Sequence, residues 1–372
     1  MANGVNNGID FFSTYMMMAI VEEIVPQSSF FRDRYFPTTG ADIFAANKVL
    51  VEYRKGDRKM AAFVAPRAGD IPVDRRGYEV HELQPAYIAP SRLLTLDDLR
   101  ERGFGEALFP GSSQAQRAVR IQLQDFADLE NRILRSEEWM AVQTMINNGC
   151  DMQEYIDAVT QGDVISVRYY DTVSEHEYTV ACPWNERGKA GGGIAEEGGG
   201  AFFEDVKAMC KLLARRGLPA SDLVLGSQVA DEICSIAKVR DLLDNPRMRY
   251  GELEPNLTVY PGVAVVGVLN FGGHRLTLFD VSHSYDNDSG VDTPYFPPTA
   301  AMVTAPGCGH LVYGQISQID HGSTEFSTYA ARRVPKLVVD QNKDTRKLRL
   351  GSRPLAVPRN YCPYIFAANV VK

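Results

Sequence analysis

Apolar residues recur at steps of three and four between about 112 and 147: Val119, Leu123, Phe126, Leu129 and Ile133, then Met140, Ala141 and Met145. Charged side chains fill the opposite positions, so the spacing predicts one long amphipathic helix. Pro110 followed by Ser112 and Ser113 marks its start, and Asn147, Asn148 and Gly149 mark its stop. At about 1.5 Å per residue such a helix spans roughly 50 Å. That length suits an elongated subunit better than the core of a compact enzyme. Upstream, Phe11, Phe12, Tyr15, Met16, Ile20 and Ile24 predict a short amphipathic helix in an N-terminal arm. Val49, Val51 and Tyr53 then alternate with Lys48, Leu50, Glu52 and Arg54, and "KGDRKM" supplies a turn before "AAFVAP", which predicts a two-stranded extension.

Beyond the helix, alternation in "DVISVRYYDT" and "HEYTVAC" predicts a hairpin, and "GKAGGGIAEEGGG" predicts a loop. "FFEDVKAMCKLLARRG" then reads as a helix stopped by Gly217, "SDLVLG" as a buried strand and "SQVADEICSIAKVRDLLD" as a second helix. Short strands follow at "VAVVGVL", "RLTLFDV", "AAMVTAP" and "GHLVYGQI". This middle section is expected to form a compact α+β unit inserted into a longer framework. The alternating C-terminal segment "TRKLRLGSRPLAVPRNYCPYIFAANVV" is expected to return to that framework.

Composition adds exclusions. The 372 residues carry a net charge of −8, which argues against a dedicated nucleic-acid binder, because such proteins displace counterions with an excess of Lys and Arg. Cys150, Cys182, Cys210, Cys234, Cys308 and Cys362 form no CxxC pair, so reduced thiols are expected and zinc is not. No basic residue precedes Arg32 and the longest apolar run is "VAVVGVL"; a soluble, cytoplasmically made protein without a secretory signal or membrane span is expected.

Candidate chemistry is sparse. "GKAGGG" lacks the GxxxxGK[ST] pattern, and no GxSxG, HExxH or strand-linked GxGxxG is present. Cys308 and His310 could share a strand face, but no third orienting group accompanies them, and core packing is expected for Cys308. "DVSHSYDNDSGVDTPYFPP" (280–298) invites a calcium-loop reading, yet counting from Asp286 puts Val291 where glycine is required and Pro297 where glutamate is required. A solvated acidic loop is expected instead. No catalytic, cofactor-binding or metal-binding residue is expected.

Several segments taken in order resemble the major capsid proteins of tailed bacteriophages, of the lambda-type, phage major capsid protein E family. They are "FFRDRYFP" (30–37), "AAFVAPRAGDIPVDRRGYEVHELQPAYI" (61–88), "RILRSEEWMAVQTMINNG" (132–149), "DLVLGSQV" (222–229), "YFPPTAAMVTAPGCGHLVYG" (295–314) and "RRVPKLVVDQNKDTRKLRLGSRPLAVP" (332–358). The resemblance implies an α+β, Hong Kong 97-type capsid fold. Its parts would be an N-terminal arm at 1–37, an extended loop at 38–90 and a peripheral domain at 91–199 with a spine helix at 112–148. An axial domain at 200–331 and a return to the peripheral domain at 332–372 would complete it. It implies a homo-oligomer of pentamers and hexamers forming an icosahedral shell around double-stranded DNA. Scaffolding, portal and decoration proteins are the implied partners, and the virion is the implied location. A chain that begins close to the arm implies a scaffolding protein that is separate or already removed. An encapsulin-like nanocompartment shell is the alternative.

On this reading the basic side chains Arg54, Lys55, Arg58, Lys59, Arg67, Arg75 and Arg76 of the extension would meet acidic residues of a neighbouring subunit. Glu130, Glu137 and Glu138, expected on the exposed face of the spine helix, are the acidic candidates. Arg346, Arg349 and Arg353 lie in a C-terminal segment, 332–359, that holds nine Lys or Arg and suits contacts between capsomers. Lys55 or Lys59 with Asn360 would supply a Lys–Asn crosslink, but nothing in the lambda-type resemblance supports one, and decoration proteins or loop contacts are expected instead.

Overall fold

The computed structural model describes residues 29–46, 48–53, 79–95, 98, 114–156, 160–170, 173–185, 200–236, 239, 251–252, 258–287, 289–340 and 345–372. The expected arm helix, the basic residues 54–76 and most of the glycine-rich loop lie outside them.

The first described element is a short helix, α1 (Phe30–Tyr35), whose aromatic residues Phe30, Phe31 and Tyr35 are fully buried. Strand β1 (Val49–Tyr53) occurs where alternation placed it, but pairs antiparallel with β2 (Glu79–Leu83), Val49 opposite Leu83. "AAFVAP" was the expected partner and is outside the described residues. The polar composition of "EVHEL" hides a strand from any reading based on apolar alternation. After β3 (Ser91–Leu94) comes the long helix α2 (Gln114–Asn147). Its stripe buries Phe126, Leu129, Ile133, Met140, Ala141 and Met145, while Leu123 stays 43% exposed.

The helix stops because Asn148 takes a left-handed φ of 55° and Gly149 a φ of 156°. A Cβ at Gly149 would sit 2.0 Å from the Val167 carbonyl oxygen, so only glycine fits there. That approach belongs to a hairpin of β4 (Gly149–Tyr155) and β5 (Gln161–Arg168). The expected pairing of "DVISVRYYDT" with "HEYTVAC" is not formed: "DVISVR" is the second strand of a hairpin whose first strand is β4. Residues 173–176 are instead a 3-10 turn, and Glu177 makes an isolated bridge to Phe366.

Helix α3 (Gly200–Arg215) ends before Gly217, which has φ +76°. The fully buried β6 (Asp222–Gly226) then runs into α4 (Ser227–Ser235). Next come β7 (Gly251–Glu252), β8 (Thr258–Tyr260), β9 (Val263–Phe271), β10 (His274–Val281), β11 (Ser284–Asp286), β12 (Asp292–Pro294) and β13 (Ala301–Thr304). The chain continues through β14 (Gly309–Tyr313), β15 (Ile316–Ile319), β16 (Phe326–Tyr329), β17 (Val334–Asp340), β18 (Thr345–Gly351), β19 (Pro354–Pro358) and β20 (Ile365–Ala367).

The main sheet has the order β20-β13-β6-β10-β9-β7, with β8 also on β9. Only the β6–β10 pair within it is parallel. One face packs on α3 and α4 around Trp184, Phe202, Leu213 and Ile233. The other joins α1, the C-terminal half of α2, β14 and β19. A smaller core places Phe126, Leu129 and Ile133 of α2 beneath Leu337, Leu348 and Leu350 of β17 and β18, which form a three-stranded sheet with β3. The C-terminal segment does not return to one place: β17 and β18 lie on the first half of α2, whereas β20 closes the edge of the main sheet.

Candidate functional site

Glu130 at the middle of α2 and Glu137 and Glu138 in its C-terminal half have surroundings that depart from expectation. They are 6%, 0% and 2% exposed. The helix has cover on both sides here, from α1 and from the turn before β17, so carboxylates that helical periodicity assigns to solvent lie inside. A carboxylate without compensation in such a place would neutralise or destabilise the fold, and each is compensated. Arg333 donates from Nε to Glu130 (2.6 Å) and from Nη1 to Glu137 (2.7 Å) and the Ser352 hydroxyl (3.0 Å). Arg32 of α1 reaches the other Glu137 oxygen at 3.3 Å, and the Tyr313 hydroxyl donates to Glu137 at 2.9 Å. Glu138 accepts the backbone N–H groups of Phe31 and Arg32 at 2.9 and 2.8 Å, which otherwise lack partners in a helix's first turn.

The electrostatics follow from this geometry. Burial alone would raise the Glu137 pKa, but Arg333 and Arg32 together hold it below the usual carboxylate range. Burial works against the charge of Arg333 too, yet Glu137 and Glu130 keep it firmly protonated. Burial, and then the Glu137 charge, push the Tyr313 hydroxyl up to about 12.

A second clamp ties α1 to the main sheet. Arg34 grips Asp222 with Nε at 2.6 Å and Nη2 at 3.1 Å, and the Tyr35 hydroxyl donates to the same carboxylate at 3.1 Å. Asp222 heads β6 and is 1% exposed, and the Arg34 guanidinium also lies 4.6 Å above the Phe279 ring. The "FFRDRYF" segment thus fixes the long helix through Arg32 and the sheet through Arg34. Sequence reasoning missed these roles, although two arginines set among four aromatic residues are a signal of charge carried into a core.

Of the remaining candidates, Arg346 is exposed on β18, while Arg349 and Arg353 are half-buried. Arg349 donates to Gln318 at 3.4 Å and stacks 5.8 Å above Tyr87. Arg54, Lys55, Arg58, Lys59, Arg67, Arg75 and Arg76 lie outside the described residues. The 280–298 stretch is a short hairpin: Asp286 of β11 pairs with Asp292 of β12, and the Asn287 side chain caps the turn by accepting from the N–H groups of Ser289 and Val291 at 3.0 Å each. His283, at its base, approaches Glu138 at 3.1 Å. Among the described residues no three His, Cys, Asp or Glu side chains are grouped to hold a metal, and no helix is long and apolar enough to cross a membrane. Burial pushes the Cys308 thiol up to about 12, far from a reactive thiolate.

What these groups accomplish is mechanical: they join a long helix, an N-terminal segment and a sheet into one frame. The sequence matches the family model of phage major capsid protein E over residues 13–368. The chain belongs to this family. Among its relatives are the P21 prophage-derived major head protein of Escherichia coli O6:H1 strain CFT073 and the major capsid protein of Enterobacteria phage P21. Each is 26% identical over 135 residues, which is 36% of this chain and 39% of the relative. The aligned stretch therefore spans well under half the length of these curated relatives. The fold is similar to that of a prophage capsid protein from Escherichia coli CFT073, with a TM-score of 0.64 at 17% identity, covering 96% of this chain and 98% of that one. A phage-related protein from Bordetella bronchiseptica RB50 aligns with a TM-score of 0.50 at 8% identity, covering 96% and 97%. The α+β, Hong Kong 97-type capsid architecture implied by the sequence is the architecture of this family member.

Proposed function

We propose that this chain is the repeating subunit of an icosahedral head of a tailed phage or prophage. It assembles into pentamers and hexamers that enclose double-stranded DNA without reading its sequence. The observation that carries the reading is the family match over residues 13–368, and the doubly clamped α2 supports it physically. A shell wall must bear load without a change in subunit shape, and displacing either clamp would strand a buried charge, which is strongly unfavourable. The net charge of −8 suits a wall that must release its genome. In this reading the subunit has no catalytic role, forms in the host cytoplasm and ends in the virion, with scaffolding, portal and decoration proteins as its partners. The basic extension 54–76 and Arg346, Arg349 and Arg353 supply contacts between subunits; the buried glutamates of α2 do not.

Expression of the full chain, alone and with the scaffolding protein of its genome, should give spherical particles in negative stain, and the chain should be abundant in purified virions. Persistent monomers under all assembly conditions, together with absence from virions, would overturn the proposal. Mass spectrometry of the particle contents separates it from a nanocompartment, which would hold a single packaged enzyme rather than DNA.

A further inference from the structure

The middle of α2 and its C-terminal end carry surfaces of opposite character, and neither covers the other within one chain. Near Phe126, Leu129 and Ile133 lies the three-stranded sheet, whose inward residues Leu337, Leu348 and Leu350 pack on the helix. Strand alternation turns a second set of residues outward. Cross-strand register aligns Leu93, Lys347 and Val338 in one row, and Ser91, Arg349 and Lys336 in the next. Leu93 is 54% and Val338 42% exposed, so this outer face combines apolar surface with three cations, and carries one acid, Asp340, in the row opposite Thr345. Lys336 stands directly opposite Arg349, a like-charge pairing that disfavours the sheet and that Asp320 of the same chain acts against.

The C-terminal end of the helix leads into the β4–β5 hairpin, which starts sixteen residues after Ile133, roughly 24 Å further along the axis. Met152 turns into the core, while Tyr155, Ile156 and Val164 near the tip are 50%, 77% and 54% exposed. The exposed acids Glu154 and Asp163 sit beside them on the two strands. This tip is apolar and acidic where the sheet face is apolar and basic.

Building on the shell reading, we infer that the β4–β5 hairpin tip of one subunit docks on the outer face of the β3–β18–β17 sheet of a second copy. Glu154 and Asp163 meet Lys347, Lys336 and Arg349, and Ile156 and Val164 cover Leu93 and Val338. Because the patches differ, the contact is head-to-tail, and such contacts close into rings or extend rather than stopping at a dimer. The occupant is a second copy because the same chain carries both complementary surfaces at a separation that keeps each exposed.

Charge reversal in the full chain tests the pairing. Glu154→Lys and Lys347→Glu, each alone, should lower particle yield about tenfold, since like-charge juxtaposition at an interface is strongly unfavourable. The two together should restore it. Circular dichroism and melting of the disassembled subunits check folding, with Glu154→Gln and Lys347→Gln as milder replacements where a reversal fails to fold. Independently, a variant with Ile156→Cys is mixed with one carrying Leu93→Cys, both in a Cys234→Ser background. Disulfide-linked pairs are expected only in the mixture. Particles that form without crosslinks or rescue would overturn this contact and leave the shell reading standing. Crosslinked oligomers that never build particles would keep the contact and remove the shell.

Discussion

Arg333→Met removes the cation at the centre of the buried cluster while keeping much of the side-chain volume. Four hydrogen bonds disappear, those to Glu130 at 2.6 Å, to Glu137 at 2.7 Å, and to the Ser352 hydroxyl and the Arg332 carbonyl at 3.0 Å each. Glu130 and Glu137 stay where they are, 6% and 0% exposed. Removing one partner of a buried pair costs about 3–5 kcal/mol, because the remaining charge keeps its desolvation penalty. Arg32 at 3.3 Å and the Tyr313 hydroxyl at 2.9 Å still serve Glu137, so the lower end of that range is expected.

The dependence on pH distinguishes this account from a simple packing defect. In the native chain the Glu137 carboxyl is held below its ordinary range. Its contribution is thus complete above the unfolded carboxylate pKa of about 4.3 and is lost as pH falls through the folded value. Without Arg333, burial dominates and the folded pKa rises above the unfolded one. The protonated form then becomes the better-tolerated one, so the deficit of the variant should narrow from pH 7 to pH 5. Urea unfolding of subunits kept disassembled, at both pH values, reads the effect. Adding Glu137→Gln to Arg333→Met should recover part of the loss, whereas Glu137→Gln alone should destabilise by leaving Arg32 and Arg333 short of an anion. A loss below about 1 kcal/mol at pH 7, typical of an exposed pair, or a loss unchanged between the two pH values, would refute the reasoning.

Asp222→Asn should destabilise by about 3 kcal/mol, because Arg34 and the Tyr35 hydroxyl lose their shared anion; urea midpoints measure this, and an unchanged midpoint counts against the sheet clamp. Gly309→Ala would place a Cβ 2.3 Å from Phe36 Cε1 and 2.8 Å from the Val357 carbonyl oxygen, and since Phe36 is fully buried overpacking should cost about 1–3 kcal/mol. In the native subunit at pH 8, iodoacetamide should label the exposed Cys234 first. Cys150, Cys210 and Cys308, raised by burial to about 12, 11 and 12, should react only after unfolding; peptide mapping by mass spectrometry checks the order.

The long helix was legible because its apolar residues recur with one period, and among the positions of that stripe whose burial is described Leu123 at 43% exposure departs from it. The strands of the main sheet were legible as short apolar runs; β6, buried along its whole length, is the clearest. Strand pairing was harder to read. The partners of β1 and β5 are "EVHEL" and "GCDMQEY", whose polar residues carry little apolar alternation, and pairing is decided by register with a neighbour rather than by local composition. The charges of the helix were the least legible. A glutamate on a helix reads as solvent-facing unless something distant covers it, and the residue that covers Glu130 lies 203 positions away.

That separation bears on the fold itself. Apolar surfaces tolerate small sliding movements, since burial is not directional, whereas a guanidinium bonded to two carboxylates and a hydroxyl accepts few arrangements. Arg32 and Arg34 are two residues apart yet face different partners, Glu137 on the helix and Asp222 on the sheet. A shift of either element by one residue breaks one of the two pairs and strands a buried charge. The frame therefore has one low-energy register, the geometric condition for copies of one chain to meet repeatedly at the same angle.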